Sequence, residues 1–220
     1  MMITTARAQS PCKVGAQAPP VGFSTWAPGS KIKVYVLEKE FADDELPFLL
    51  TALDTWNAVS DLTGSKVRFE YKGTTASQLY CENCLTIRRG SVFDKSHRRL
   101  ATLRASTGTR NQIITWANIT IDPQLTNPRT LTNAVAHELG HSFGLLDCYS
   151  CAARSTVMIK FGDVNVSNEM DRPSGCDVEQ VKAVYRSLAQ LTPVRSPRAM
   201  VVDEGQEPVE DDTPVVIPKP

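Results

Sequence analysis

Apolar and polar positions begin to alternate at Lys31, and the run Lys-Ile-Lys-Val-Tyr-Val-Leu to Leu37 predicts a strand. Asp43 or Asp44 is then placed to cap a helix whose first turn accommodates Pro47. Leu46, Leu49, Leu50, Leu53 and Trp56 follow helical spacing to about Ser60, and Gly64 closes the turn. Lys66 to Tyr71 and Cys84 to Arg89 predict two further strands. Arg99 to Ala105 is weaker and more polar, as a strand at a sheet edge would be. Gln112 to Ile121 is the longest β-like run and ends at Asp122-Pro123. Asn127-Pro128 leads into a helix from about Leu131 to Phe143. A last helix is predicted from Asp177, with Gln180 completing a capping box and Val181, Val184, Tyr185 and Leu188 on one face. Beyond Thr192 the chain is Pro-rich, acidic and aperiodic, and disorder is expected.

The helix at 131–143 has two faces. Leu131, Val135, Leu139 and Phe143 recur every four residues and form a packing face. Roughly opposite stand His137 and His141, about 40° apart around the axis and about 6 Å along it. Two imidazoles so placed converge on one Zn²⁺, with Glu138 beside them as base for a metal-bound water. Gly144 lets the backbone leave the helix, because only Gly takes positive φ without steric cost. The turn can bring Asp147 back as a third ligand. Two of the chain's three histidines sit here, which a helix with incidental histidines does not explain.

The string His137-Glu138-Leu139-Gly140-His141-Ser142-Phe143-Gly144-Leu145-Leu146-Asp147 resembles the zinc-binding consensus of the metzincin metallopeptidases. Asp stands where the third His usually does, as in snapalysin-type members. Met158, in Ser155-Thr156-Val157-Met158, is similar to the Met-turn that underlies the metal in that clan. The specific motif covers 137–158, and the element order resembles a matrixin-like domain over residues 26 to 191. The resemblance implies an α+β fold: a twisted, mostly parallel sheet with an antiparallel edge strand, an active-site helix, the Met-turn and a C-terminal helix. It implies one catalytic zinc on His137, His141 and Asp147, in a secreted endopeptidase. Glu138 would take the proton of the zinc-bound water and pass it to the leaving amine. An Asp in place of a third His lowers the positive charge of the site, so that water should be less acidic and the pH optimum higher.

The same resemblance places Arg99 to Ala105 along the cleft, binding a protein or peptide substrate as an added antiparallel strand. Some metzincins carry a Tyr two residues after the Met, where this chain has Lys160. Only His97 remains outside the motif, in the basic loop Lys95-Ser96-His97-Arg98-Arg99, so a matrixin-like structural zinc built on several histidines is excluded. No D-x-D-x-D-G loop declares Ca²⁺, although scattered carboxylates and carbonyls could hold one. Asn118-Ile119-Thr120 and Asn165-Val166-Ser167 are glycosylation sequons.

Composition sets the frame. The 220 residues divide into an N-terminal segment (1–25), a catalytic domain (26–191) and an acidic Pro-rich tail (192–220). Ala6-Arg7-Ala8 fits the small-x-small end of a secretory signal, although the apolar core that should precede it is missing; an Ala-rich terminus without meaning is the other reading. Lys plus Arg and Asp plus Glu both number 24, so bulk charge points to neither nucleic acid nor an anionic membrane. No apolar run approaches the ~20 residues of a membrane helix, and a monomer is expected. Residues 88–110 hold seven Lys or Arg against one acid, and 203–212 hold six acids and no base. Both read as solvated charge runs, with a weak fold-back of the tail as the sharper alternative.

Six cysteines fit an oxidising compartment. They allow about 15 pairings. The preferred set is Cys12–Cys176 with Cys81–Cys84 and Cys148–Cys151 closed locally. A tetrathiolate zinc site from the two C-x-x-C pairs competes, against an intervening 63 residues. A third option has Cys12 capping the catalytic zinc, as in matrixin pro-segments. Two rivals to a peptidase follow: a binding module that keeps the zinc scaffold without turnover, and a zinc-stapled interaction domain.

Overall fold

The structure, a computed structural model, describes residues 12–22, 24–94, 97–98, 100–108, 112–159 and 170–191. Its elements are β1 (Lys31–Leu37), α1 (Leu46–Thr63), β2 (Arg68–Thr75), β3 (Cys84–Arg89), β4 (Phe93–Asp94), β5 (His97–Arg98), β6 (Ala101–Thr107), β7 (Ile114–Ile121), α2 (Pro128–Ser142) and α3 (Gly175–Leu191). Five strands form one sheet in the order β2-β1-β3-β7-β6. All neighbours in it are parallel except β6, which runs antiparallel to β7 at the edge. Among the described residues the fold is therefore α+β, with a mostly parallel sheet and three helices. β4 and β5 pair separately through Asp94 and His97, so the backbone expected as a basic loop includes a short antiparallel contact.

Alternation decides which side of the sheet is covered. Ile32, Val34 and Val36 of β1 are buried while Lys31 and Lys33 are exposed. Leu85 and Ile87 of β3 and Ala117, Ile119 and Ile121 of β7 extend that apolar face. Leu49, Leu53 and Trp56 of α1 and Leu131, Val135 and Leu139 of α2 close over it, with Val181 and Tyr185 of α3 in the same core. Burial of this kind contributes roughly 1.5–3 kcal/mol per large side chain.

Several boundaries differ from the sequence expectation for backbone reasons. Lys66 has φ 57° and Gln112 has φ 54°, so neither continues a strand; β2 begins at Arg68 and β7 at Ile114. The edge strand starts at Ala101 and runs to Thr107; Arg99 lies outside the described residues. Helix α1 is preceded by Glu45, not capped by Asp43 or Asp44, which are exposed. The Glu45 carboxylate instead accepts from Ala42 N and pairs with Arg89. Arg89, counted in the basic stretch, is thereby internal: it also donates to the carbonyls of Asp122 and Leu125. Helix α2 starts early, at Pro128, because Asn127 Oδ1 accepts from Thr130 N at 3.1 Å and a proline fits the first turn. The cap of α3 is Ser174, whose Oγ accepts from Cys176 N and Asp177 N. Asp177 is then the third helical residue of the box and returns a bond to Ser174 N.

The six cysteines pair at disulfide distance as Cys12–Cys176, Cys81–Cys84 and Cys148–Cys151. No cysteine is free. That removes both the tetrathiolate zinc site and a Cys12 ligand, since a sulfur in a disulfide has no thiolate to offer. Among the described residues no helix is long and apolar enough to cross a membrane. Asn118 is 4 % exposed and donates to Thr120 Oγ1, so this sequon is closed to modification in the folded chain. The Asn165 sequon, Lys160, Ala6-Arg7-Ala8 and the acidic tail lie outside the described residues.

Candidate metal centre

Helix α2 is buried along nearly its whole length. Leu131, Val135, Leu139 and the following Phe143 are fully covered, as their spacing predicts. Trp56 of α1 fixes the helix axially by donating its indole N–H to Ala136 O at 2.7 Å, and it stacks on Phe143 at 4.8 Å. The polar face is not open either. His137 and Glu138 are only 7 % and 6 % exposed.

The C-terminus of α2 carries the chain back over this face. Gly144 takes φ 84°, its N–H bonds to His141 O, and Leu145 N–H bonds to Gly140 O at 3.1 Å. This pair of bonds is the Schellman arrangement, and it requires the left-handed residue that glycine supplies. Leu145 then presents its carbonyl to His141 Nδ1 at 2.8 Å. Two residues later the Asp147 carboxylate lies 3.0 Å from His137 Nε2 and 3.5 Å from His141 Nε2. The two rings stand 4.9 Å apart and nearly perpendicular.

This donor set could hold a metal ion. Ligands at ~2.0–2.1 Å in a tetrahedron stand ~3.3 Å from one another, and Asp147 Oδ1 stands 3.0 and 3.5 Å from the two imidazole nitrogens. Carbonyls can only accept, so His137 donates Nδ1–H to Val157 O and His141 donates Nδ1–H to Leu145 O. That leaves each Nε2 pointing inward, as metal-binding histidines require. The ligand atoms of His137, Glu138 and His141 also lie within 4.8 Å of one another, a group that could hold a metal ion. Electrostatics ties the three candidate ligands together. Burial works against a charged His141, but the Asp147 carboxylate and then Glu138 raise its pKa to about 9. Burial alone would push Asp147 up; the two imidazoles outweigh it and hold it well below the usual carboxylate range.

Met158 is fully buried and follows Val157, whose carbonyl accepts from His137 Nδ1. A Cβ at Gly140 would stand 2.2 Å from Met158 Sδ and 3.0 Å from the Trp56 ring. Only glycine lets helix and turn approach so closely. The turn itself is pinned by Asp177, also fully buried, which accepts from Thr156 Oγ1 and from Val157 N. Burial pushes the Asp177 carboxyl up despite these donors. Residues 12–22 brace the other side: Gly22 N bonds to Gly144 O, Leu146 N to Pro20 O and Ala152 N to Ala16 O.

His137, Glu138, His141, Asp147 and Met158 are thus gathered in one place. Sequence reading gave Gly140 no role and treated Asp177 as a helix cap alone. A glycine inside a helical pattern, costing about 1 kcal/mol against Ala, was the available signal for the first. No protein-family model matches this chain, and no curated protein matches it.

Proposed function

We propose that this chain is a secreted zinc-dependent endopeptidase of metzincin type. The observation that carries the reading is the convergence of His137 Nε2, His141 Nε2 and Asp147 Oδ1 beside Glu138. Two imidazoles and one carboxylate suit zinc, whereas calcium takes six to eight oxygens. Zinc, when bound, supplies Lewis acidity that polarises a peptide carbonyl and makes water a usable nucleophile near neutral pH. His137, His141 and Asp147 would hold the ion, the two imidazoles oriented by the carbonyls of Val157 and Leu145. Glu138 Oε takes a proton from the attacking water and delivers it to the leaving amine. Strand β6, at the edge of the sheet among the described residues and in contact with α2, would receive an extended peptide as an added antiparallel strand. The turn at Met158 is the counterpart of the Met-turn, and the three disulfides suit an oxidising compartment.

The test is cleavage of casein or gelatin by the wild type and Glu138→Ala, each with and without a chelator. The expected result is activity only in the wild type without chelator, with the variant reduced about 10²–10⁴-fold. Equal activity of the two proteins, with contamination excluded, ends the peptidase reading.

A further inference from the structure

The disulfide that follows Asp147 has no part in the chemistry proposed above. Cys148, the residue after the third ligand, is joined to Cys151. Its N–H bonds to Met158 O at 2.7 Å, and it forms a bridge with Ile159. On the other flank Leu146 N bonds to Pro20 O at 2.9 Å. Asp147 lies between these two backbone bonds, with its carboxylate turned to the two imidazoles. The two residues differ in access: Cys148 is 1 % exposed and Cys151 is half-buried. Their sulfurs lie 4.0 and 3.5 Å from the same acceptor, Ala18 O. A carbonyl so placed can receive an S–H from either residue once the bond is opened.

We infer that Cys148–Cys151 is a reducible site for an external thiol, and that opening it lowers the affinity of the chain for its metal. The inference rests on the metal centre of the preceding subsection. A thiolate attacks the sulfur of Cys151, the less buried of the two residues; a mixed disulfide forms and Cys148 leaves as a thiolate, which takes a proton. A second thiol attacks the mixed disulfide, releases Cys151 and departs as the oxidised disulfide of the reductant. Two electrons and two protons pass from two thiols to the protein. Residues 148–151 regain backbone freedom, and the carboxylate at 147 spreads over positions away from Nε2 of both histidines. Losing such support for a ligand costs metal affinity about 10–100-fold. By linkage, metal binding must protect the disulfide by the same factor.

Cys81–Cys84 has the same spacing and serves as an internal control. It closes the start of β3, and Cys84 alternates with the core residue Leu85 and so faces away from α2. The full chain is equilibrated in glutathione buffers with and without Zn²⁺, whose free concentration is clamped by a metal buffer. Each pair is then trapped by alkylation and quantified. The expected result is a rise of about tenfold or more, with Zn²⁺, in the [GSH]²/[GSSG] ratio that half-reduces Cys148–Cys151. Cys81–Cys84 should not move. Zn²⁺ should also bind Cys148→Ser/Cys151→Ser about tenfold more weakly than the oxidised wild type, at unchanged far-ultraviolet dichroism. If that variant does not fold, the wild-type equilibrium alone decides. An unmoved ratio, or a parallel shift of both pairs, overturns the inference while Zn²⁺ binding by the oxidised chain stands. Failure of the oxidised chain to bind Zn²⁺ removes the metal centre and this inference with it.

Discussion

His137 Nδ1 donates to Val157 O at 3.0 Å, while the N–H of the same Val157 donates to Asp177 Oδ2 at 3.1 Å. One residue of the turn therefore links the first candidate ligand to a buried carboxylate at the start of α3. Asp177 also holds Thr156 Oγ1 and Ser174 N, so it joins a helix cap and the support of a candidate ligand in one side chain.

Asp177→Ala should cost more than a lost cap. Thr156 Oγ1 and Val157 N, both buried, and half-buried Ser174 N would each lose the acceptor that Asp177 supplies, at about 1–3 kcal/mol for a buried one. The expected outcome is a loss of several kcal/mol in urea unfolding, together with weaker Zn²⁺ binding. Ser174→Ala should lose only about 1 kcal/mol and leave the metal in place. Equal effects of the two variants on Zn²⁺ affinity would separate Asp177 from the metal centre.

Asp147 is expected to be a ligand and not a mere ion-pair partner. Asp147→Ala should weaken Zn²⁺ binding by at least about tenfold, while Asp147→His, which keeps a donor on the same loop, should retain the ion. Competition with a chromophoric chelator measures both. Wild-type affinity in Asp147→Ala would place the third ligand elsewhere.

What was legible in the sequence was whatever spacing alone encodes. Four-residue spacing placed His137 and His141 on one side of α2 and Leu131, Val135 and Leu139 on the other. Apolar composition fixed Cys84 to Arg89 as a strand to the residue, because a central parallel strand is covered on both faces. The remainder depended on contacts between distant parts of the chain. Lys66 and Gln112 adopt left-handed backbone that no local pattern announces. Residues 12–22 have no periodicity, and their order comes from bonds to a loop more than a hundred residues away. Asp177 follows a serine at capping distance, yet its larger role comes from Thr156 and Val157.

Gly140→Ala sets two effects against each other. Alanine gains about 1 kcal/mol of helix propensity over glycine. Its Cβ would meet Met158 Sδ at 2.2 Å and Trp56 at 3.0 Å, and overpacking of that kind costs about 1–3 kcal/mol. Trp56 and Met158 are fully buried, so neither side chain has free space to retreat into, and steric cost should win. Chemical denaturation should show a net loss of stability. Met158→Ala opens the contested space, so the double variant should be more stable than the sum of the single losses. Additive losses would mean that the two positions do not meet.

The pH dependence of the metal-free chain follows from His141 and Asp147. A folded His141 pKa raised from 6.5 to about 9 contributes stability that is fully present below about 6.5. That contribution is lost as pH rises through about 9. Asp147, held below its ordinary range, contributes above its unfolded pKa and loses that contribution as pH falls through the folded one. The metal-free protein should therefore be weaker at pH 9 than at pH 6, by on the order of 1–3 kcal/mol. Zn²⁺ must displace the His141 proton, so its affinity should rise up to about tenfold per pH unit between neutrality and pH 9. Urea unfolding in chelator at the two pH values, repeated for Asp147→Ala, measures the first effect. The variant should lose most of the difference, because its His141 no longer faces the carboxylate that favours the charged ring. A pH difference that survives unchanged in Asp147→Ala would assign the titration to another group.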